Sequence, residues 1–306
     1  MNQNSSEPMH PSARKAWVEA MRLRTLPVSL AGVVTGGGVA AYFGEFHFLP
    51  FLICVLFALL AQIVSNFANE YFDFRNGLDK KGREGFRRGV TEGDISPRAM
   101  LNAIIALLVI DCAIGCSLIY YGGWIVIPVG IAIAIFALAY SCGPYPLSHH
   151  GLGELAVIIF FGVVPVIFTA YVQTQSWEML PVALPLSLAI GLLGANVLVV
   201  NNTRDLEDDR AVGKHTLAVK FGRPAMHFLY ILNGFVAIFL IEYATIAGVD
   251  YFWQIGVLVY ANILYINYRA FKAGRGAELN PILGKTAMTM FCLAVWVFIM
   301  LAASAK

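Results

Sequence analysis

FLPFLICVLFALLAQIVSNFANEYFDFRNGLD (Phe48–Asp79) decides the fold. The stretch opens with an apolar run from Phe48 into the sixties, and a helix needs about 20 such residues to cross the hydrocarbon core of a bilayer. Polar residues then enter at a fixed spacing. Gln62, Asn66, Asn69 and Asp73 recur at i, i+4, i+7 and i+11, one face of a helix leaving the membrane. A polar stripe on an apolar helix has to face protein or water, because lipid offers an unpaired polar group no partner. Gly77 then allows a turn, and Asp79 follows.

The rest of the 306-residue chain repeats this pattern. It is 58% hydrophobic and only 13% charged, whereas a soluble protein carries about 25% charged residues. Apolar runs predict helices near 26–43, 48–68, 100–120, 123–140, 152–172, 180–200, 225–243, 251–268 and 286–303. The expected fold is an all-α integral membrane bundle of about nine transmembrane helices. Residues 1–16 form a polar N-terminal tail, and 17–306 form a single membrane domain with no room for a soluble module. The tail leads into Trp17 without the apolar core and cleavage site of a secretory signal, so an interfacial helix is expected there.

The basic residues set the orientation. They fall in four groups: Arg14 to Arg24, Arg75 to Arg98, Arg204 to Arg223, and Arg269 to Lys285. Only Lys306 lies outside them. With nine spans all four groups share one side, which the positive-inside rule assigns to the cytoplasm together with the N-terminus. The loops around 121–123, 173–180 and 244–250 carry none. The net charge of +2 is thus sorted by side, and no nucleic-acid partner is expected. The five cysteines lack CxxC spacing, so neither disulfides nor a zinc site is expected.

A second polar segment, NNTRDLEDD (Asn201–Asp209), ends the sixth apolar run. Asn202, Asp205 and Asp209 recur at i, i+3 and i+7, again one face. Both segments lie on the same expected side, so the two stripes can converge on one cavity mouth. The plain alternative is solvated loop charge. Two carboxylates ~6 Å apart repel by roughly 3 kcal/mol at an effective dielectric of 20, so convergence demands cations. Oxygen-only donors suit Mg²⁺, which takes one or two carboxylates and completes its shell with water and substrate phosphates. The candidate metal ligands are Asn69, Asp73, Asp79, Asn202, Asp205 and Asp209, facing a diphosphate. Arg204, Lys214, Arg88, Arg22 and Lys220 are candidates for binding that diphosphate, since cationic groups stabilise charge building on a leaving group. Each also satisfies the positive-inside rule without any such role.

At these residues the chain resembles the UbiA-type membrane prenyltransferases, most closely the 1,4-dihydroxy-2-naphthoate polyprenyltransferase branch, from about Trp17 to Thr286. The family's first motif, Asn-x-x-x-Asp with a following Gly-x-Asp, corresponds to Asn69, Asp73, Gly77 and Asp79. Its second corresponds to NNTRDLEDDRAVGKHTL, and the Asn-Asn-x-Arg there weighs against the 4-hydroxybenzoate branch. AMRLRTLPVS (20–29), YSCGPYPLSHHGLGEL (140–155) and ELNPILGKTA (278–287) agree in order and spacing. Departures are Glu70 for a usual Asp, Leu23 for a common Pro, Ser141-Cys142 for Thr-Gly, and His149 and His150, which receive no role.

The resemblance implies a bundle with a central cavity open to lipid and to the cytoplasm, in a bacterial inner membrane. It implies Mg²⁺-dependent transfer of a polyprenyl chain from polyprenyl diphosphate to 1,4-dihydroxy-2-naphthoate with loss of CO₂, giving demethylmenaquinone. 4-Hydroxybenzoate or homogentisate as acceptor is the alternative. Asp73, Asp205, Tyr140 and Glu154 are the candidate catalytic residues. Tyr140 either faces the reacting carbons or is an interfacial belt tyrosine. Glu154 either orients the aromatic substrate or caps its helix as a first-turn acid. Asp111, mid-span, is expected in a hydrogen-bonded packing role. Asn280 before Pro281 reads as a helix N-cap. A transporter would place its polar residues near the membrane midplane rather than at helix ends. The Asp-Gly-x-x-Ala-Arg signature of the CDP-alcohol phosphotransferases is absent.

Overall fold

A computed structural model describes residues 12–81, 87–143, 145–246 and 248–305, and every regular element among them is helical. Residues 1–11 of the tail, Arg83, Pro144 and Lys306 lie outside the described residues. The first helix, α1 (Ala13–Met21), begins before the expected boundary at residue 17. There follow α2 (Leu26–Tyr42), α3 (Phe48–Arg75), α4 (Pro97–Ser117), α5 (Val126–Ala139) and α6 (Gly153–Thr174). Beyond them come α7 (Leu180–Arg204), the short α8 (Leu206–Ala211), α9 (Leu217–Thr245), α10 (Ile255–Ala273) and α11 (Leu279–Ala303).

Each expected span has its helix. By length and hydropathy, 7 stretches among the described residues are long and apolar enough to cross a membrane. One of them, Pro97–Ala139, contains two expected spans, α4 and α5, which turn at Gly123. α10 is not among the seven, because Asn262, Asn267, Arg269 and Lys272 dilute its apolar run. Two helices depart from regularity. α6 widens to a π-helix over Ile158–Val163 just before Pro165. Proline has no N–H to give and its ring crowds the carbonyl four residues back, so the wider turn relieves both defects. α9 breaks at Gly222, so only the part from Pro224 onward forms the expected span.

The larger core joins Leu186, Ile190 and Leu193 of α7 to Tyr230 and Ile241 of α9 and to Met290 and Val297 of α11, with α2 packed alongside. A second core joins α1, α3 and α4 through Ala20, Phe67, Met100 and Ile104. Outward-facing Ile105, Ile131, Phe235 and Leu258 are exposed large apolar residues, the surface a bilayer covers.

Lipid gives helices no hydrophobic reason to associate, so close packing has to supply it. α6 and α7 meet backbone to backbone at Gly162 and Gly191. A Cβ on Gly191 would lie 2.6 Å from the Ile158 carbonyl oxygen, and one on Gly162 would lie 2.4 Å from Gly191 Cα. Gly191→Val is therefore expected to lower the melting temperature in detergent, since overpacking costs about 1–3 kcal/mol. Gly284→Ala, with nothing within 4 Å of the new methyl, is expected to leave it unchanged or raise it. Equal melting of both variants would contradict this packing.

Candidate active site

The end of α3 delivers its stripe as a unit. Gln62, Asn66, Asn69 and Asp73 all line one cavity of about 160 Å³. Gln62 donates to the Asn66 side chain (3.2 Å), and Asn66 donates to the Met21 carbonyl (3.0 Å), which ties the stripe to the end of α1. Asn69 Oδ1 accepts from Arg22 (2.8 Å) and from Arg88 (2.9 Å), while its amide donates to Ser141 Oγ (2.9 Å). Asp73 is fully buried. The chain then turns at Gly77 (φ +67°), where the Leu78 N–H closes back on the Asp73 carbonyl. Asp79 stands off the cavity wall and pairs with Arg88 Nε at 3.4 Å.

Glu70, one residue off the stripe, has a separate task. Its Oε1 accepts the Val90 N–H at 2.9 Å. That bond anchors the helical turn Gly89–Glu92, and Arg88, immediately before it, is thereby aimed at Asn69, Asp73 and Asp79.

The second stripe arrives at the end of α7 and along α8. Asn201, Asn202, Arg204, Asp205 and Asp209 line the same cavity. Arg204 is buried and grips Asp205 through two contacts (2.7 and 2.8 Å), while also donating to Asn201 (2.8 Å) and Asn280 (2.9 Å). Asn280 is therefore not a helix N-cap. α11 begins at Leu279, and Asn280 lies inside its first turn as a partner of Arg204. Asn202 donates to Glu154 Oε1 at 2.9 Å, so buried Glu154 holds a stripe residue from behind the cavity wall.

Lys214 joins the stripes. Its Nζ lies 3.1 Å from Asp73 Oδ2 and 3.9 Å from Asp209 Oδ1. Thr216 accepts the Val219 N–H as the cap of α9, which fixes the backbone just beyond Lys214. Lys220 stands outside the cavity lining and donates to the His150 carbonyl at 2.9 Å.

Between α5 and α6 a third segment closes over the site. Tyr140 lines the cavity. Ser141 is fully buried against Asn69. His149 Nε2 lies 3.3 Å from Asp73 Oδ1, and the His149 carbonyl accepts the His215 N–H at 2.7 Å. His150 stacks on Tyr145 instead, with ring centroids 3.5 Å apart.

An apolar cavity of about 360 Å³ adjoins the polar one, and Gln62, Ser65, Phe136 and Phe161 line both. Asp111 faces this second cavity. Its buried Oδ1 has no hydrogen-bond partner among the described residues, contrary to the hydrogen-bonded packing expected of it.

The donor set fits a hard cation in a particular way. Among the described residues no three His, Cys, Asp or Glu side chains come together as a ready-made metal cage. Asp73, Asp205 and Asp209 line one cavity, where Arg88, Lys214 and Arg204 pair with them. Mg²⁺ characteristically takes one or two protein carboxylates and completes its shell with water and phosphate oxygens. This arrangement supplies that incomplete set.

Chain order gave no signal for His149, Ser141, Asn280 or the anchoring role of Glu70. Their contacts join segments 76, 72, 76 and 20 residues apart.

Known proteins resemble this chain over most of its length. The UbiA prenyltransferase family model matches residues 29–293. The 1,4-dihydroxy-2-naphthoate octaprenyltransferase of Haemophilus influenzae is 32% identical over 290 residues, 90% of this chain and 91% of that protein. Its namesake in Escherichia coli is 36% identical over 219 residues, 69% of this chain and 70% of that one. A solved UbiA homolog from Archaeoglobus fulgidus, bound to GPP and Mg²⁺, shares the fold with a TM-score of 0.67. That likeness covers 94% of this chain and 99% of the other at 14% identity.

Arg204 and Asp205 make a buried ion pair, and removing one partner strands the other. Such a loss costs about 3–5 kcal/mol. Arg204→Leu is expected to lower the melting temperature in detergent by several degrees. Arg210→Ala, which removes only the exposed contact with Glu207, is expected to change it little. Similar melting of the two variants would contradict the buried pair.

Proposed function

The chain belongs to the UbiA prenyltransferase family, and from that premise we propose that it transfers a polyprenyl chain from polyprenyl diphosphate to 1,4-dihydroxy-2-naphthoate. The proposed product, after loss of CO₂, is a demethylmenaquinol, the reduced form of a demethylmenaquinone. The observation that carries this reading is a pair of adjoining cavities: two acidic stripes and four cations line one, and an apolar chamber that shares Gln62, Ser65, Phe136 and Phe161 with it lies alongside. Relatives named for this acceptor, over nine-tenths of the chain in one case, support the choice of naphthoate.

Asp73, Asp205 and Asp209, with the Asn69 and Asn202 side-chain oxygens, would hold Mg²⁺. When bound, Mg²⁺ supplies positive charge to the diphosphate as the carbon–oxygen bond breaks. Arg22, Arg88 and Lys214 line the same mouth and add charge-assisted hydrogen bonds to the departing group. Arg204 serves by fixing Asp205, Glu154 by fixing Asn202, and Asp79 by fixing Arg88. Lys220 steadies the segment around His150.

Bond breaking leaves an allylic cation on the prenyl carbon. Phe136 and Phe161 line both cavities and Tyr140 lines the polar one, and aromatic faces attract cations. The apolar chamber excludes the water that would otherwise capture the cation. The electron-rich ring carbon bearing the carboxyl attacks, forming the new carbon–carbon bond. The carboxyl then leaves as CO₂ and its electron pair restores the aromatic ring. The isoprenoid tail lies in the chamber lined by Val33, Phe57 and Ile131. The positive-inside rule puts the mouth on the cytoplasmic face of a bacterial inner membrane.

Purified protein in lipid, given farnesyl diphosphate and Mg²⁺, is expected to prenylate 1,4-dihydroxy-2-naphthoate and to stop on chelation. Asp73→Asn or Asp205→Asn is expected to abolish turnover while the protein still melts cooperatively, with Asp205→Asn melting lower because Arg204 loses its partner. Product from 4-hydroxybenzoate alone would overturn the acceptor. Full activity in either variant would overturn the metal assignment.

A further inference from the structure

His149 belongs to a segment wired in place independently of its ring. Ser148 closes on the Tyr140 carbonyl through both its N–H (3.1 Å) and its hydroxyl (2.7 Å). The His149 carbonyl accepts from His215, and the His150 carbonyl accepts from Lys220. These bonds clasp the segment to the loop that carries Lys214. They leave the His149 imidazole, whose side chain is 12% exposed, 3.3 Å from Asp73 Oδ1.

An ionised carboxylate only accepts hydrogen bonds and offers about four lone-pair positions on its two oxygens. On Asp73, Oδ2 faces Lys214 at 3.1 Å and Arg88 at 3.7 Å. Oδ1 faces His149 Nε2, with the Nε2–H tautomer as the one that fits. A bond to that oxygen restrains the rotation of the carboxylate, and Asp73 lines the cavity. Groups that hydrogen-bond to a ligating carboxylate set its orientation, and losing one typically costs about 10–100-fold in metal affinity.

We infer that His149 is a positioning residue of the diphosphate site, orienting the Asp73 carboxylate toward the divalent cation from a loop outside both acidic stripes. This rests on the reading of Asp73 as a metal ligand. Full-length protein in lipid nanodiscs, saturated with an unreactive farnesyl thiolodiphosphate, would be titrated with Mn²⁺ as the probe. Free Mn²⁺ would be read by electron paramagnetic resonance.

His149→Ala is expected to weaken Mn²⁺ binding by about 10–100-fold. His149→Gln, whose side-chain N–H reaches to a similar place as Nε2, is expected to recover most of the loss. His150→Ala is expected to bind as the wild type does. Wild-type affinity in His149→Ala would overturn the inference, as would a loss that His149→Gln does not recover or that His150→Ala shares. A wild-type protein that binds no Mn²⁺ would overturn the reading of the site itself, and the inference with it.

Discussion

The Asp73 carboxylate, fully buried at the end of a membrane helix, is the constraint from which the rest of the site follows. A charge taken out of water must be compensated nearby, because an uncompensated one costs several kcal/mol. Three segments supply that compensation. Lys214 comes from the loop after α8, Arg88 from the loop after α3, and His149 from the segment between α5 and α6. Each is aimed by a second bond that does not touch Asp73. Glu70 anchors the turn behind Arg88, Thr216 caps the helix after Lys214, and His215 holds the His149 backbone. Convergence of the two acidic stripes is thus a consequence of satisfying one buried acid.

The same economy of polar groups explains how one cavity serves two chemistries. Polar residues at helix ends face the mouth, where charge, water and phosphate can meet them. Deeper in the bundle the helices pack through small residues such as Gly162 and Gly191, and the space left is apolar. Phe136 and Phe161 belong to both regions. In the proposed reaction a diphosphate head and an isoprenoid tail would be separated by that boundary, with the bond to be broken at it.

Most of the fold was legible in the sequence because membrane helices announce themselves by local composition. All nine apolar runs correspond to helices among the described residues, and the period of Gln62, Asn66, Asn69 and Asp73 correctly placed them on one cavity wall. Partnerships were not legible in the same way. Arg204 was read only as a diphosphate ligand, yet its guanidinium is shared among Asp205, Asn201 and Asn280. Asn280 carries the local signature of an N-cap, and the packing of α11 against α7 assigned it elsewhere. The histidines had no periodic pattern to mark them, and only the fold of the segment around Pro146 separates His149, on Asp73, from His150, on Tyr145.

The central claim is that the two stripes form one diphosphate site, and a double-mutant cycle on Asp73 and Lys214 tests it most directly. Binding of the unreactive farnesyl thiolodiphosphate with Mg²⁺ would be measured for wild type, Asp73→Asn, Lys214→Met and the double variant. Residues acting through one shared site are expected to be non-additive, with a coupling of about 0.5–3 kcal/mol. Additivity to within about 0.3–0.5 kcal/mol, as found for distant independent positions, would contradict a common site.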